Sequence, residues 1–247
     1  MKRAVEADDP RRRWLIKALA AGLLSGGLVR ARPGAAQVPG GRPSKLPTDK
    51  SVFRSTGEAS VNGKAVAGDT RIRPGDTVGT GKNSEIIFVV SNCSMLLRAD
   101  SQVALEGEAN GPLAGFKLLV GKLLSTYPPG LVRIETASAR AQVRGTGVYI
   151  ESDPERTYFC TCFGATEVVA KDDPDSRESV VATHHNKPLY ILAGAKNRGK
   201  AIEPAPFINH TDQELKLIET LVGRTLPSSF VFSDPRYETP KGGTYRP

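Results

Sequence analysis

Short apolar runs separated by turn residues fill the middle of the chain and predict a mainly β fold. Between about residues 53 and 149 these runs recur roughly every ten residues, which is the spacing typical of an all-β domain. The predicted strands are residues 85–90, 95–98, 118–124, 131–136, 141–150, 157–163, 166–170 and 180–183. Asn62-Gly63 lies between two apolar runs and tolerates the positive φ angles of a type I′ turn, so it predicts a hairpin.

One helix is predicted near the C-terminal end, at residues 212–222. Thr211 and Glu214 form a capping-box pattern, in which each side chain satisfies a free backbone amide of the first turn. The apolar residues that then recur at helical spacing are Leu215, Ile218, Leu221 and Val222. Gly223 follows and is expected to end the helix. The apolar stripe predicts that the helix packs on the β-sheet.

The first 36 residues have the layout of a bacterial twin-arginine export signal. Arg12 and Arg13 precede a mildly apolar run at residues 18–29, and small residues at 34–36 form the expected cleavage site. The stretch from residue 14 to residue 29 is shorter than the ~20 apolar residues of a membrane-spanning helix. Cleavage is therefore favoured over the alternatives of a membrane anchor and a soluble leader. We expect a periplasmic protein with no membrane attachment after cleavage.

Composition and pattern together predict how the chain is divided into segments. The expected organisation is a twin-arginine signal peptide at 1–36, a linker at 37–50, a β domain at 51–170, a C-terminal extension at 171–232 and an irregular tail at 233–247. The linker is assigned because it is rich in Pro, Gly and charge and has no apolar periodicity.

The basic character of the chain belongs mainly to its first segment. Residues 1–36 hold eight basic and three acidic side chains, so their removal lowers the net charge from +8 to about +3. A domain with so small an excess of positive charge lacks the electrostatic footprint of a nucleic-acid-binding protein. We expect no nucleic-acid partner.

An ordered set of turns and strands between about residues 57 and 170 resembles the FecR domain, named for the periplasmic part of an iron-dicitrate sensor-regulator. The matching residues are Gly57, Val61-Asn62-Gly63, Gly68-Asp69, Pro74-Gly75-Asp76, Thr80-Gly81, the strands at 86–90, 118–123 and 132–136, and Val143-Arg144-Gly145-Thr146 with Val148. The resemblance implies a β-sandwich or solenoid-like β fold and a non-catalytic binding or sensory role. Within the last motif, Gly145 predicts a bulge or a close backbone approach.

The resemblance also has limits. Only eleven residues precede the arginine pair, so we expect no cytoplasmic arm with which to hold a sigma factor. The expected role is a periplasmic module that binds a protein or a cell-envelope component. A membrane-anchored iron-transport signalling regulator, which would require the leader to remain attached, stays as an alternative.

Another hypothesis, beside the binding module and the anchored regulator, is that the chain is a periplasmic metal-binding protein. The candidate ligands are Cys160, Cys162, His184, His185 and His210. Thiolates and imidazoles form the ligand sets of zinc and copper sites. In a regular strand the two cysteines face one side with Tyr158, while Phe159 and Phe163 face the other.

Two other interpretations of the cysteines stay open, namely a disulfide that involves Cys93 and plain packing of buried thiols. A bond between Cys160 and Cys162 is disfavoured, because α-carbons two apart in a strand are about 6.5–7 Å apart.

Sequence motifs for catalysis are absent. The chain contains neither a G-x-S-x-G elbow nor a G-x-x-x-x-G-K phosphate loop, so an enzyme is not expected. Asp172, Asp173 and Asp175 cluster in a Pro-containing loop that we interpret as solvated. A calcium site there is a weaker alternative, since the glycine and terminal glutamate of an EF-hand are missing.

Overall fold

Fourteen strands and one helix make up the part of the chain that the structure, a computed structural model, describes, namely residues 43–194 and 200–232. The strands are β1 (Val52–Thr56), β2 (Ala59–Val61), β3 (Lys64–Ala65), β4 (Thr77–Thr80), β5 (Glu85–Val90), β6 (Cys93–Leu97), β7 (Gln102–Glu106), β8 (Gly115–Thr126), β9 (Leu131–Glu135), β10 (Ala139–Ser152), β11 (Arg156–Ala170), β12 (Arg177–Ala182), β13 (Leu189–Leu192) and β14 (Ile202–Pro204). The helix is α1 (Asp212–Leu221). The prediction of a mainly β fold with one C-terminal helix is confirmed.

Some of the predicted segments lie outside the residues that the structure describes. The export signal at 1–36 and the tail at 233–247 lie outside the described residues, as do residues 37–42 of the linker. Within the described ranges, no helix has the length and apolar character needed to cross a bilayer.

Three long strands divide the hydrogen-bonded sheet into two layers. Each of the strands β8, β10 and β11 has one half in the first layer and the other half in the second. The reason is that each strand changes its pairing partners along its length. The first layer has the order β12-β11-β10-β9-β8-β7-β4-β2-β3, and the second has the order β14-β13-β11-β10-β8-β6-β5-β1. All pairs are antiparallel except β8 with β9, which is parallel.

The main apolar core contains inward-facing residues of both layers. On β5, Ile86, Phe88 and Val90 belong to this core. Ile87, which points the opposite way, belongs to a second apolar cluster beneath the helix. Because both faces of β5 are covered, its sequence is a continuous apolar run, and the strand was predictable for that reason.

The predicted hairpin turn at Asn62-Gly63 is confirmed. Both residues have positive φ, at 51° and 75°, as a type I′ turn requires. Val61 pairs with Lys64 across the turn.

Paired irregularities interrupt the ladder between β10 and β11. Near Gly145, which has a φ of 55°, β10 has one more residue than β11. Near Cys162 the excess is reversed, because Gly147 pairs with Phe163 and Val148 with Thr161. The bulge predicted at Gly145 is therefore confirmed.

The second bulge overturns one expectation from simple alternation. Phe163 does not face away from the cysteines but packs in the same cluster as Cys160 and Cys162. The extra residue in β11 shifts the alternation by one position, so Cys162 and Phe163 point to the same side. The predicted strands 157–163 and 166–170 also form one strand, β11, which bends at Gly164 with a φ of 87°.

Helix α1 begins and ends as the sequence predicts. The capping box between Thr211 and Glu214 is present. Gly223, with a φ of 73°, donates to the carbonyl of Thr220 and ends the helix. The buried stripe of Leu215, Ile218 and Leu221 packs against the outer face of the second layer. Each of these side chains stabilises the docked helix by about 1.5–3 kcal/mol.

Candidate metal centre

The two cysteines reach the helix-facing side of the sheet from β11. Cys160 and Cys162 are fully buried, and no described residue forms a disulfide with either thiol. Cys93 is also a free thiol and packs in the other apolar cluster, between the layers. The structure therefore gives no support to a disulfide between Cys93 and the pair.

His185 is brought to the cysteines by an unusual backbone conformation after β12. Its φ is 46°, in the left-handed region that is uncommon for residues other than Gly, although Asn, Asp and His adopt it more often than the rest. Its backbone N–H donates to the carbonyl of Cys162 at 3.0 Å. The Asn186 side chain holds the preceding turn by accepting from the backbone amides of Thr183 and His184. The imidazole of His185 is thereby directed inward, with its Nδ1 3.5 Å from Cys160 Sγ.

His210 approaches from the opposite direction, immediately before helix α1. Its ring stacks on Tyr149 with centroids 4.4 Å apart and an interplanar angle of 20°. The adjacent Asn209 donates to Glu151 at 2.7 Å, and the carbonyl of Asn209 accepts from Arg98 at 2.9 Å. These contacts with the sheet place His210 Nε2 3.4 Å from Cys162 Sγ.

The four inward atoms form a compact group. Cys160 Sγ, Cys162 Sγ, His185 Nδ1 and His210 Nε2 all lie within 4.8 Å of one another. The distance between the two imidazole nitrogens, His185 Nδ1 and His210 Nε2, is 3.1 Å. The two sulfur–nitrogen distances are the 3.5 and 3.4 Å given above. With zinc bonds of about 2.3 Å to sulfur and about 2.0–2.1 Å to nitrogen, tetrahedral edges are about 3.6 Å for sulfur–nitrogen and about 3.3 Å for nitrogen–nitrogen. The three distances, 3.5, 3.4 and 3.1 Å, are each within about 0.2 Å of these edges.

Outer hydrogen bonds fix which nitrogen of each imidazole faces the centre. His210 Nδ1 donates to the carbonyl of Ile208 at 2.7 Å, and His185 Nε2 donates to Asp212 Oδ1 at 3.0 Å. In each neutral ring the inward nitrogen is then the unprotonated one, which carries the lone pair that binds a metal. A carboxylate and a backbone carbonyl are the usual outer partners of metal-binding histidines.

His184 does not join this group, although the sequence proposed it as a ligand. Its Nε2 lies 3.1 Å from both carboxylate oxygens of Asp212, on the outer side of that residue. A second set of possible ligands, His184, His185 and Asp212, is therefore present. It shares His185 with the first set but contains no sulfur.

Asp212 is the functional residue that the sequence analysis missed. It is 2% exposed and contacts both His184 and His185. The sequence placed it in the first turn of the helix, where an acidic residue is common for local reasons. Asp212 contacts a histidine only because the loop after β12 packs against the start of the helix, and this contact is not visible in the sequence.

Aromatic rings separate the centre from solvent. Phe207 contacts the rings of His185 and His210, with centroid distances of 4.5 and 4.6 Å. Phe230 contacts His184 and His185 at 4.9 and 5.9 Å. In this apolar surrounding a charged ligand group is strongly disfavoured unless an opposite charge is bound beside it.

The surroundings move the pKa values of the two thiols in opposite directions. Burial raises the pKa of Cys162, and the neighbouring Cys160 raises it further. Burial also acts to raise the pKa of Cys160, but its interactions with Cys162, His210 and His185 outweigh this and lower it. For His185, burial acts to lower the pKa, and the contacts with Asp212 and Cys160 outweigh it and raise the pKa.

The three aspartates proposed for calcium do not converge on one point. Asp172 accepts from the backbone of Gly194 at 2.7 Å, whereas Asp173 accepts from the hydroxyl of Ser176 at 2.5 Å. In the described part of the chain, the groups of residues positioned to hold a metal do not include Asp172, Asp173 or Asp175.

Comparisons with known proteins identify no family for this chain. No family model matches it, and no curated protein matches it. Among solved structures, two crystal structures of a candidate anti-sigma factor from Parabacteroides distasonis ATCC 8503 are similar to it, each with 12% sequence identity and a TM-score of 0.43. The similarity covers 59% of this chain and 74% or 73% of the other chain. A likeness this distant shows neither a shared fold nor a shared function.

Proposed function

We propose that the protein is a non-catalytic, metal-dependent binding module in which Cys160, Cys162, His185 and His210 hold one zinc ion. The observation that carries the proposal is the set of four inward atoms within 4.8 Å of one another, three of whose six spacings are close to the edges of a zinc tetrahedron. The fixed tautomers of both histidines support it. Copper(I) is the other ion suited to this ligand set, because it too prefers soft thiolates.

The closed ligand shell favours a structural ion over a catalytic one. All four positions are supplied by the protein, and all four residues are buried. Catalytic zinc sites keep one position open for water or substrate. The ion would therefore have a structural role and no catalytic role at this site.

The ion would join three parts of the chain that are distant in sequence. Cys160 and Cys162 come from β11, His185 from the loop after β12, and His210 from the start of helix α1. The unfolded chain cannot hold an ion in this way. The free energy of binding the ion is therefore added to the stability of the folded protein. The zinc ion would therefore fix the C-terminal extension to the β layers.

The place of action and the partner are part of the proposal. The twin-arginine pattern of the first 36 residues supports export to the periplasm in a folded state. Export after folding suits an ion that is loaded in the cytoplasm. The FecR-like turns support a role in binding a protein or a cell-envelope component through the β layers.

Competitive zinc titration of the purified full chain tests the proposal. A chromogenic zinc chelator is used as the competitor, and Cys162→Ser and His210→Gln are compared with Cys93→Ser as the matched control. We expect one zinc per chain with a Kd well below about 1 μM, a loss of at least ~100-fold in the first two variants, and no change in the control. Native protein that binds zinc and copper(I) no tighter than micromolar contradicts the proposal.

A further inference from the structure

A second site, separate from the metal centre, lies at the other end of helix α1. It is a cleft of about 640 Å³, a volume typical of small-molecule sites. Its walls come from the segment before β1, the turn before β4, the β5–β6 turn, the loop after β7, the β8–β9 loop and the end of the helix.

The charged side chains that line this cleft all have the same sign. They are Lys45, Lys50, Arg71 and Arg73, and the described lining contains no aspartate or glutamate. Among the described residues, none of these four forms an ion pair. Four cations around one concavity whose described lining has no carboxylate create a positive potential that attracts anions.

The side chain of Arg71 and the main chain of Arg73 are each fixed by a hydrogen bond. Arg71 Nη1 donates to the carbonyl of Thr48 at 3.1 Å, which leaves the other guanidinium N–H groups for a ligand. Arg73 belongs to the turn that includes Gly75-Asp76, where its amide donates to Asp76 Oδ2 at 2.7 Å. The other oxygen of Asp76 accepts from Asn62 at 2.7 Å, so this carboxylate is engaged on the turn.

The rest of the lining is rigid and partly apolar. Five prolines contribute to the walls, namely Pro47, Pro74, Pro112, Pro128 and Pro129. Proline fixes φ, so these loops lose little conformational entropy when a ligand binds. The wall that carries Lys45 is attached to the helix, because Leu46 N–H donates to the carbonyl of Leu221 at 2.8 Å. Leu131, which is half exposed, also lines the cleft and offers an apolar contact.

We propose that this cleft binds a small organic anion that carries two or more carboxylate or phosphate groups. Arg71 and Arg73 would bind the anionic groups in the planar, bidentate manner of guanidinium, with Lys50 and Lys45 as further point charges. The apolar part of the ligand would rest on the proline and leucine surface. This proposal does not depend on the zinc site.

Isothermal titration calorimetry of the full chain tests it with two probes, tricarballylate and fructose bisphosphate. The double variant Arg71→Gln/Arg73→Gln is compared with Lys64→Gln/Lys82→Gln, which removes the same charge at exposed sites outside the cleft lining. We expect at least tenfold weaker binding in the arginine variant, less than twofold change in the control, and weaker binding at high salt. Binding of one probe alone assigns carboxylate or phosphate chemistry.

The result that overturns the proposal is equal weakening in both double variants, which would indicate only non-specific attraction. Failure of the native protein to bind either probe at about 1 mM also overturns it. If circular dichroism shows that the arginine variant is unfolded, Lys50→Gln is compared with Lys64→Gln by the same measurement. At least threefold weaker binding in Lys50→Gln alone is then expected, and equal affinity contradicts the proposal.

Discussion

A left-handed backbone conformation at His185 is the clearest sign that this residue is constrained for its position. At a φ of 46° a side chain with a Cβ is disfavoured by about 1–2 kcal/mol. The conformation persists because the amide of His185 is bonded to Cys162 and its ring to Asp212. Strained residues held by several neighbours are concentrated at functional sites. The strain therefore supports His185, rather than His184, as the ligand.

Replacing His184 and His185 one at a time distinguishes the metal ligand from the histidine that contacts Asp212 outside the centre. His185→Gln is expected to weaken zinc binding by at least ~100-fold, because it removes an inward nitrogen. His184→Gln should change the affinity by no more than a few-fold, since the Nε2 of His184 bonds Asp212 and is not one of the four inward atoms. Competitive titration of the two variants measures the difference. Equal losses would return His184 to the ligand set and contradict the assignment.

Asp212 is expected to act on the ion through His185. Asp212→Ala removes the acceptor that fixes the inward nitrogen of that ring, so zinc affinity should fall about 10–100-fold without a change in the number of ions bound. Zinc competition gives the affinity, and native mass spectrometry gives the ion count. Unchanged affinity in a folded variant would show that the carboxylate has only a local role in the helix.

At the scale of elements, the sequence predicted what depends on local patterns and missed what depends on pairing. Strand β5 was predictable because its apolar run is continuous, and α1 because its cap and stripe are local signals. The short β13 and β14 were not predicted, since four and three residues become strands only by pairing with β11 and with each other. The bulge at Cys162 leaves no signal in the alternation, and so Phe163 was placed on the wrong face.

Bending of β11 is expected to depend on the glycine at position 164. A Cβ there would lie 2.6 Å from the carbonyl oxygen of Gly145, and the φ of 87° is disfavoured for other residues. Gly164→Ala should therefore lower the free energy of unfolding by about 3 kcal/mol or more. Gly63→Ala is the matched control, because its φ is also positive but no atom lies within 4 Å, and about 1 kcal/mol is expected. Urea unfolding curves measure both. Similar losses in the two variants would contradict the close packing at the bend.

At the scale of the whole molecule, helix α1 connects the two proposed sites. His210 and Asp212 lie at its beginning, beside the metal centre, and Leu221 lies at its end, beside the cleft. The residues of both sites come from segments far apart in sequence. Their types were visible in the chain, as the cysteines and histidines show. Their meeting in space depends on the fold, and for this reason Asp212 and the cationic cleft were not predicted.

Removal of the ion should loosen the C-terminal extension before the β layers. At free zinc of 1,000 times its Kd, binding contributes about 4 kcal/mol to stability. For a domain of this size a strong chelator should then lower Tm by about 10 °C. Amide hydrogen exchange should increase mainly in residues 205–230, while β5 and β6 stay protected. Calorimetry and exchange measurements on the full chain, with Cys162→Ser as a zinc-free reference, check both effects. A Tm shift of equal size in Cys162→Ser would show that the chelator acts elsewhere.

The central claim is that two sulfur and two nitrogen atoms of this chain surround one zinc ion. X-ray absorption spectroscopy at the zinc edge of the zinc-loaded full chain measures this directly. The account predicts four-coordinate zinc with two sulfur atoms at about 2.3 Å and two nitrogen atoms at about 2.0–2.1 Å. A spectrum that shows only oxygen and nitrogen neighbours, or six-coordinate zinc without sulfur, would contradict it.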